Sequence, residues 1–281
     1  MASTWVYPEQ WAEKLQERLD SPQNFKEVCK VEINNSRVLH NPYQSTEVTA
    51  VAHTRGTAYT YPNLVNTDES VTINQSRAAT TFIDRADLAQ QKYSNQMRAA
   101  DVQGTVLNEY LETDMLANHG MLTNFDNTEL GGGAGNITVS ASNIDDIIRG
   151  VKRKVRVANG VAMANRHGYF IIWRPADFEI LEAFAQANGF NTADRALQNG
   201  TIEGFNFMGV DHLVSNSHAS GHLMGGVKKL MHLGIVKDTF GQVTIIQDPG
   251  LKSGVGIVSR VDWEFKVWTN TKPLVFDILV N

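Results

Sequence analysis

One cysteine in 281 residues, Cys29, cannot form an internal disulfide, and it excludes any zinc site built from several thiolates. It is expected to act as a small core hydrophobe. No run approaches eighteen consecutive apolar residues, and the N-terminus, MASTWVYPEQ, lacks the basic and apolar regions of a signal peptide. A soluble protein made in the cytosol, with no membrane partner, is the expectation. Positive charge is not in excess either. The formal net charge is −5, whereas a dedicated duplex binder gathers Lys and Arg to neutralise phosphates. A local basic patch is still compatible with that balance. Catalytic signatures are absent as well: there is no G-x-S-x-G elbow and no H-E-x-x-H. What remains is ordinary for a globular chain, 42% hydrophobic and 9% aromatic, with length for one large domain or two smaller ones.

The first third is thin in large apolar groups. Trp11, Leu15 and Leu19 make one stripe on a short amphipathic helix over 8–19, which residues 24–30 continue loosely. From Val31 the pattern moves toward period two. Ile33, Val38, Val48, Ala50 and Val51 lie among Asn, Ser, Thr, Glu and Gln, with Asn41-Pro42, Gly56 and Pro62-Asn63 as punctuation. An isolated hairpin of such strands is marginal in water. Ordering each residue costs roughly 1–2 kcal/mol, while a buried valine returns about 1.5–3 kcal/mol. The segment is expected to be an arm supported by other chains, or mobile.

A strand-like run, VTINQSRAATTFID, then turns at Asp84 to Asp87 into one long helix. Asp84, Asp87 or Ser94 can cap a start. Ala99, Val102, Val106 and Tyr110 repeat at helical spacing beside Leu107, Leu111 and Met115, and Arg98, Gln103, Asn108, Glu109 and Glu112 supply the polar remainder. Over 94–118 the helix would extend about 37 Å. Gly104 predicts close packing or a bend, and Gly120 is placed to end the helix.

After the glycine-rich loop the chain alternates helix and strand. Ser142 with Asp145 resembles a capping box, with Ile144, Ile147, Ile148, Val151 and Val155 as the buried helical face. GYFIIW at 168–173 reads as a buried strand, Pro175 opens a helix with Phe178, Leu181 and Phe184 inward, and TIEGFNFMGVDHLVSN reads as a hairpin. VSRVDWEFKVW and PLVFDILV close the chain as well-packed strands with a turn near Thr271.

Candidate chemistry is sparse. Gly131 to Gly135 has no following Lys-Ser or Lys-Thr and reads as a flexible connection. His218 and His222 have the spacing of a helical metal pair, but Gly221 and the Ser-Gly surroundings oppose a helix there. Asp145 and Asp146 complement a helix dipole. Arg149, Lys152, Arg153 and Arg156 share a helical face that is either solvated or in contact with DNA or an acidic neighbour. No catalytic, cofactor-binding or metal residue is assigned, and no enzymatic activity or cofactor is expected.

The segment FIDRADLAQQKYSNQMRAADVQGTVLNEYLETDMLA resembles the start of the spine helix in major capsid proteins of tailed bacteriophages with the HK97-type fold. Asp87 and Gln90 match that family's D-x-x-Q pattern, and Gly200, Ile202, Gly204, Phe205 and Ser215-Asn216 match its G-x-I-x-G-F hairpin, although residues 206–209 depart from it. The resemblance implies an α+β, HK97-like capsid fold: N-terminal arm 1–43, extended β loop with its base strands 44–83, peripheral domain with the long spine helix 84–140, axial domain 141–244, and return strands of the peripheral domain 245–281. It further implies self-assembly as pentamers and hexamers into an icosahedral shell around double-stranded DNA, with non-specific DNA contact possible, first in the host cytoplasm and then in the virion. With no long N-terminal extension, a separate scaffolding protein is expected, and the resemblance implies a portal as a further partner. No Lys–Asn cross-linking pair is identifiable. An encapsulin-like nanocompartment shell enclosing a cargo enzyme is the alternative, and an α/β enzyme with an oligomerisation arm comes last.

Overall fold

The computed structural model describes residues 23–44, 52–58, 65–84, 95–188, 204–238, 243–246 and 254–281. The predicted helix at 8–19, the turn with Asp87 and Gln90, the loop stretches 45–51 and 59–64, and Asn199-Gly200 with Ile202 lie outside the described residues.

In chain order the first elements are α1 (Phe25–Val28), β1 (Cys29–Asn34), β2 (Val38–Gln44), β3 (Asn66–Thr72), β4 (Gln75–Asp84) and α2 (Asn95–Ala117). There follow β5 (Thr123–Phe125), α3 (Ile144–Val157), α4 (Val161–His167), β6 (Tyr169–Trp173), α5 (Pro175–Ala187), β7 (Gly204–Phe207) and β8 (Val210–Val214). The chain closes with β9 (His222–Val227), β10 (Met231–Val236), β11 (Val243–Ile246), β12 (Gly254–Val267) and β13 (Val275–Leu279).

Continuous apolar runs become strands covered on both faces. In β6, Phe170, Ile171, Ile172 and Trp173 are fully buried at the middle of a mixed sheet ordered β5-β13-β9-β6-β8-β7. Helix α3 lays the predicted Ile144, Ile147, Ile148, Val151 and Val155 into the core, and Phe178 and Leu181 of α5 are buried with them, while Phe184 is half-buried. The β7–β8 hairpin turns at Met208-Gly209, both with positive φ (53° and 71°), which is the requirement of a primed two-residue turn. Met208 gave no such signal in the sequence.

A second, five-stranded sheet is built on the fourteen-residue strand β12, which pairs with β4, β10 and β11, while β1 extends it by parallel pairing with β10. Residues 25–34 are therefore part of the body, with Phe25, Val28 and Cys29 buried. The two closing strands do not pair with each other: β12 lies in the five-stranded sheet and β13 joins β9 and β5 in the six-stranded one. Between them the 3-10 turn Lys272–Leu274 changes the chain's direction.

Strands β2 and β3 form a separate two-stranded hairpin, registered from Val38↔Thr72 to Gln44↔Asn66. Asn41-Pro42 does not interrupt it. Pro42 pairs with Asp68, and a proline survives because half of the backbone groups in a two-stranded ribbon face away from the partner. Leu39 is the buried residue of this ribbon, and Ile73 is buried just beyond it.

Three local expectations are corrected. The N-cap of α3 is Asn143 rather than Ser142, and the Asn143 side chain holds the preceding loop by accepting from Ser140 N–H and donating to the Thr138 carbonyl (both 2.9 Å). Helix α2 ends at Ala117, and Gly120 lies inside the 3-10 turn that follows. Gly104 is not a close-packing site, since a Cβ there would meet nothing within 4 Å and the helix continues through it.

Candidate functional site

Helix α2 is twenty-three residues long, about 34 Å at 1.5 Å per residue. Its faces reverse the simplest reading of its sequence. Leu111, Met115 and Leu116 are buried, but so are the polar Gln103 and Glu112, while Val102, Val106 and Tyr110 are each about 40% exposed. Gln103 is turned inward because its amide is fully used: Nε2 donates to Thr81 Oγ1 (2.8 Å) and the Ile257 carbonyl (3.0 Å), and Oε1 accepts from Ser259 (2.7 Å). These bonds fasten α2 to the β4–β12 pair.

Glu112 holds the N-terminal segment. Its carboxylate accepts from the Phe25 N–H (2.9 Å) and the Asn24 side-chain amide (3.0 Å), and Cys29 Sγ lies 3.4 Å from Met115 Sδ one turn further on. Burial raises the Glu112 carboxyl to about 7, against the lowering effect of those hydrogen bonds. Burial, with the nearby Glu112, also pushes the Cys29 thiol up, so this cysteine is a packing group as expected.

At the root of the β2–β3 ribbon, Asp262 gathers Arg37 (3.0 Å), Ser76 (2.6 Å) and Arg260 (2.8 Å), and these hydrogen bonds and charges hold its carboxyl below the ordinary range although burial opposes them. Glu69 ties β3 to the end of β12 by accepting from the Thr269 N–H (2.9 Å) and pairing with Lys266 (2.9 Å). Beyond these anchors the ribbon is exposed along one face and half-exposed along the other. Val102, Val106 and the ribbon together present apolar and backbone surface that stays exposed among the described residues.

The candidate residues at 145–156 are partly engaged with their own chain. Arg149 pairs with Asp145 and with Asp146 (2.8 Å), Lys152 Nζ donates to the Met208 carbonyl (2.6 Å) at the hairpin turn, and Arg153 donates to the Glu129 carbonyl. They border an open cleft of about 450 Å³ with Arg156 at its side. The Gly131–Gly135 loop carries Gly131 and Gly135 at positive φ and connects the 3-10 turn Asn127–Leu130 to the core at Ile137.

His218 and His222 are separated in role. Burial drives the His218 imidazole down to about 4, with Arg174 adding to it, whereas His222 stacks on His119, with ring centroids 3.6 Å apart, and faces Asp277. His212 is a core group: its Nδ1 accepts from Trp173 Nε1 (2.9 Å), its Nε2 lies 3.2 Å from the Phe207 carbonyl, and burial brings its pKa to about 4. Sequence reasoning missed His119, Asp277 and Gln103, because their partners lie 22 to 158 positions away.

No protein-family model matches the chain, and no curated protein is similar to it in sequence. Solved structures are similar in three dimensions. The structure from Mycobacterium phage Che8 matches with a TM-score of 0.65 at 16% identity, covering 98% of each chain. The capsid of a native GTA particle matches with a TM-score of 0.69 at 12% identity, covering 98% of this chain and 95% of the other. A virus-like particle from Pyrococcus furiosus matches with a TM-score of 0.54 at 10% identity over 90% of both. The arrangement of ribbon, long helix and two mixed sheets is therefore the HK97-like capsid fold.

Proposed function

We propose that this protein is a major capsid protein, which assembles as pentamers and hexamers into an icosahedral shell enclosing the double-stranded DNA of a tailed phage. The observation that carries the reading is the β2–β3 ribbon, a seven-residue pairing with exposed flanks, fixed to the body by Leu39 near its foot and by Glu69 at mid-length. Such a ribbon buries too little to be stable by itself, so a neighbouring subunit supplies what its own chain does not. The exposed Val102 and Val106 on α2 are a second uncovered surface. Many weak contacts of this kind add up, because each is reinforced once neighbours hold the subunit in place. The protein acts through contacts rather than catalysis.

On this reading α2 with the five-stranded sheet forms the peripheral part and the six-stranded sheet with α3 and α5 the axial part. The basic side chains of α3 are largely engaged with their own chain, which favours a structural and solvated role over DNA binding. A separate scaffolding protein and a portal complete the assembly. The nanocompartment alternative receives weaker support, since the virus-like particle matches at 0.54 against 0.65 and 0.69 for the phage Che8 and GTA structures.

The test is deletion of residues 44–66, followed by negative-stain electron microscopy of the chain alone and with candidate scaffold genes. A folded body that forms no shells is expected. Normal particles from the deletion would remove the role given to the ribbon, and a small discrete oligomer from the intact chain under every condition would favour an enzyme. Nucleic acid inside shells supports the capsid reading, and a co-purified enzyme supports the nanocompartment.

A further inference from the structure

We propose that His119, His222 and Asp277 form a binding site for a divalent transition-metal ion of the zinc class, which ties the end of α2 to the six-stranded sheet. The three residues come from three elements. His119 lies in the 3-10 turn Asn118–Met121 after α2, His222 opens β9, and Asp277 lies in β13. Antiparallel pairing of β9 with β13 sets His222 opposite Leu279, so Asp277 is its diagonal neighbour on the same face of the sheet. The turn after α2 brings His119 onto the ring of His222, with centroids 3.6 Å apart and planes 24° from parallel.

The donor atoms already converge. His222 Nδ1 is 3.0 Å from each Asp277 oxygen, His119 Nδ1 is 3.2 Å from Oδ2, and one donor atom from each residue lies within 4.8 Å of the others. Donors bound at zinc distances on a tetrahedron stand about 3.3 Å apart, so the spacing suits an ion, and one imidazole must swing out of the stack for both in-plane lone pairs to meet it. The charge balance points the same way. Asp277 is 2% exposed, and among the described residues no Lys or Arg pairs with it. A divalent ion would supply positive charge beside the carboxylate and is held by neutral imidazole, the ligand form of histidine. Both histidine side chains are about one-quarter exposed, which leaves a path for the ion and a position for water.

The test uses the full chain without a polyhistidine tag. Zinc chloride is titrated in competition with a chromophoric chelator, and cobalt(II) is added separately to read visible absorption. One equivalent per chain, a four- or five-coordinate cobalt spectrum and a rise in Tm with zinc are expected. His119→Ala and His222→Ala should each weaken binding more than about tenfold, the least that loss of even an outer-shell partner costs. His119 is partly exposed, so its variant stays folded if the buried Asp277→Asn variant does not. No binding by the intact chain, or equal binding by the intact chain and both histidine variants, would overturn the proposal. The cluster would then be a carboxylate shared by two hydrogen-bonded imidazoles.

Discussion

Leu39 fills the space above Gly234: a Cβ on residue 234 would lie 2.3 Å from Leu39 Cδ1 and 3.3 Å from Ile73 Cδ1. The glycine sits in β10, in the middle of the five-stranded sheet, and the leucine is the buried foot of the β2–β3 ribbon. The notch seats the foot of the ribbon, beside the polar anchors made by Arg37 and Glu69. Gly234→Ala should lift that foot and destabilise the chain by about 1–3 kcal/mol, as overpacking does. Urea unfolding measures the loss, and an unchanged midpoint would mean that Leu39 repacks freely.

Glu112 makes stability depend on pH. Burial raises its carboxyl from 4.5 to about 7, so the folded chain holds this proton more tightly than the unfolded chain. Its contribution is fully present below 4.5 and is lost as pH rises through about 7. The slope in that window is at most about 1.4 kcal/mol per pH unit. Glu112→Gln should flatten it. Thermal melts of both proteins across the window provide the check, and parallel curves would assign the dependence to another group.

Gln103 is the polar fastener of α2. Gln103→Met keeps the volume but leaves the Ser259 hydroxyl and the Ile257 carbonyl without this partner, for an expected loss of about 2–4 kcal/mol. Denaturant titration measures it. A neutral result would show that water replaces the amide.

On the proposed capsid function, Val102 and Val106 bear on assembly rather than folding. Charged substitutions, Val102→Lys and Val106→Lys, should change the stability of the isolated subunit by no more than about 0.5 kcal/mol, because both side chains are substantially exposed. Shell formation should nevertheless fail, as read by sedimentation and electron microscopy. Wild-type shells from both variants would remove this face from the contact surface.

Much of the architecture was legible in the chain. The continuous run in β6, the helical period of α3 and Pro175 at the start of α5 each act within a few residues, and each specified its element and its buried face. The thinness of the ribbon was equally local, since its composition denies it a core. Helix α2 was legible as a helix, but its orientation was not. The apolar stripe of Val102, Val106 and Tyr110 faces out, because Gln103 and Glu112 find inward partners in β12, β4 and the N-terminal segment.

The sequence by itself determined where most of the described helices and strands form and which segment cannot stand alone, because backbone preference and hydrophobic period are properties of neighbouring residues. Only the tertiary structure decided that β12 and β13 belong to different sheets, that a glycine receives Leu39, and that His119, His222 and Asp277 meet. Those relationships depend on pairing between distant segments, where polar groups are satisfied by partners that no local pattern encodes.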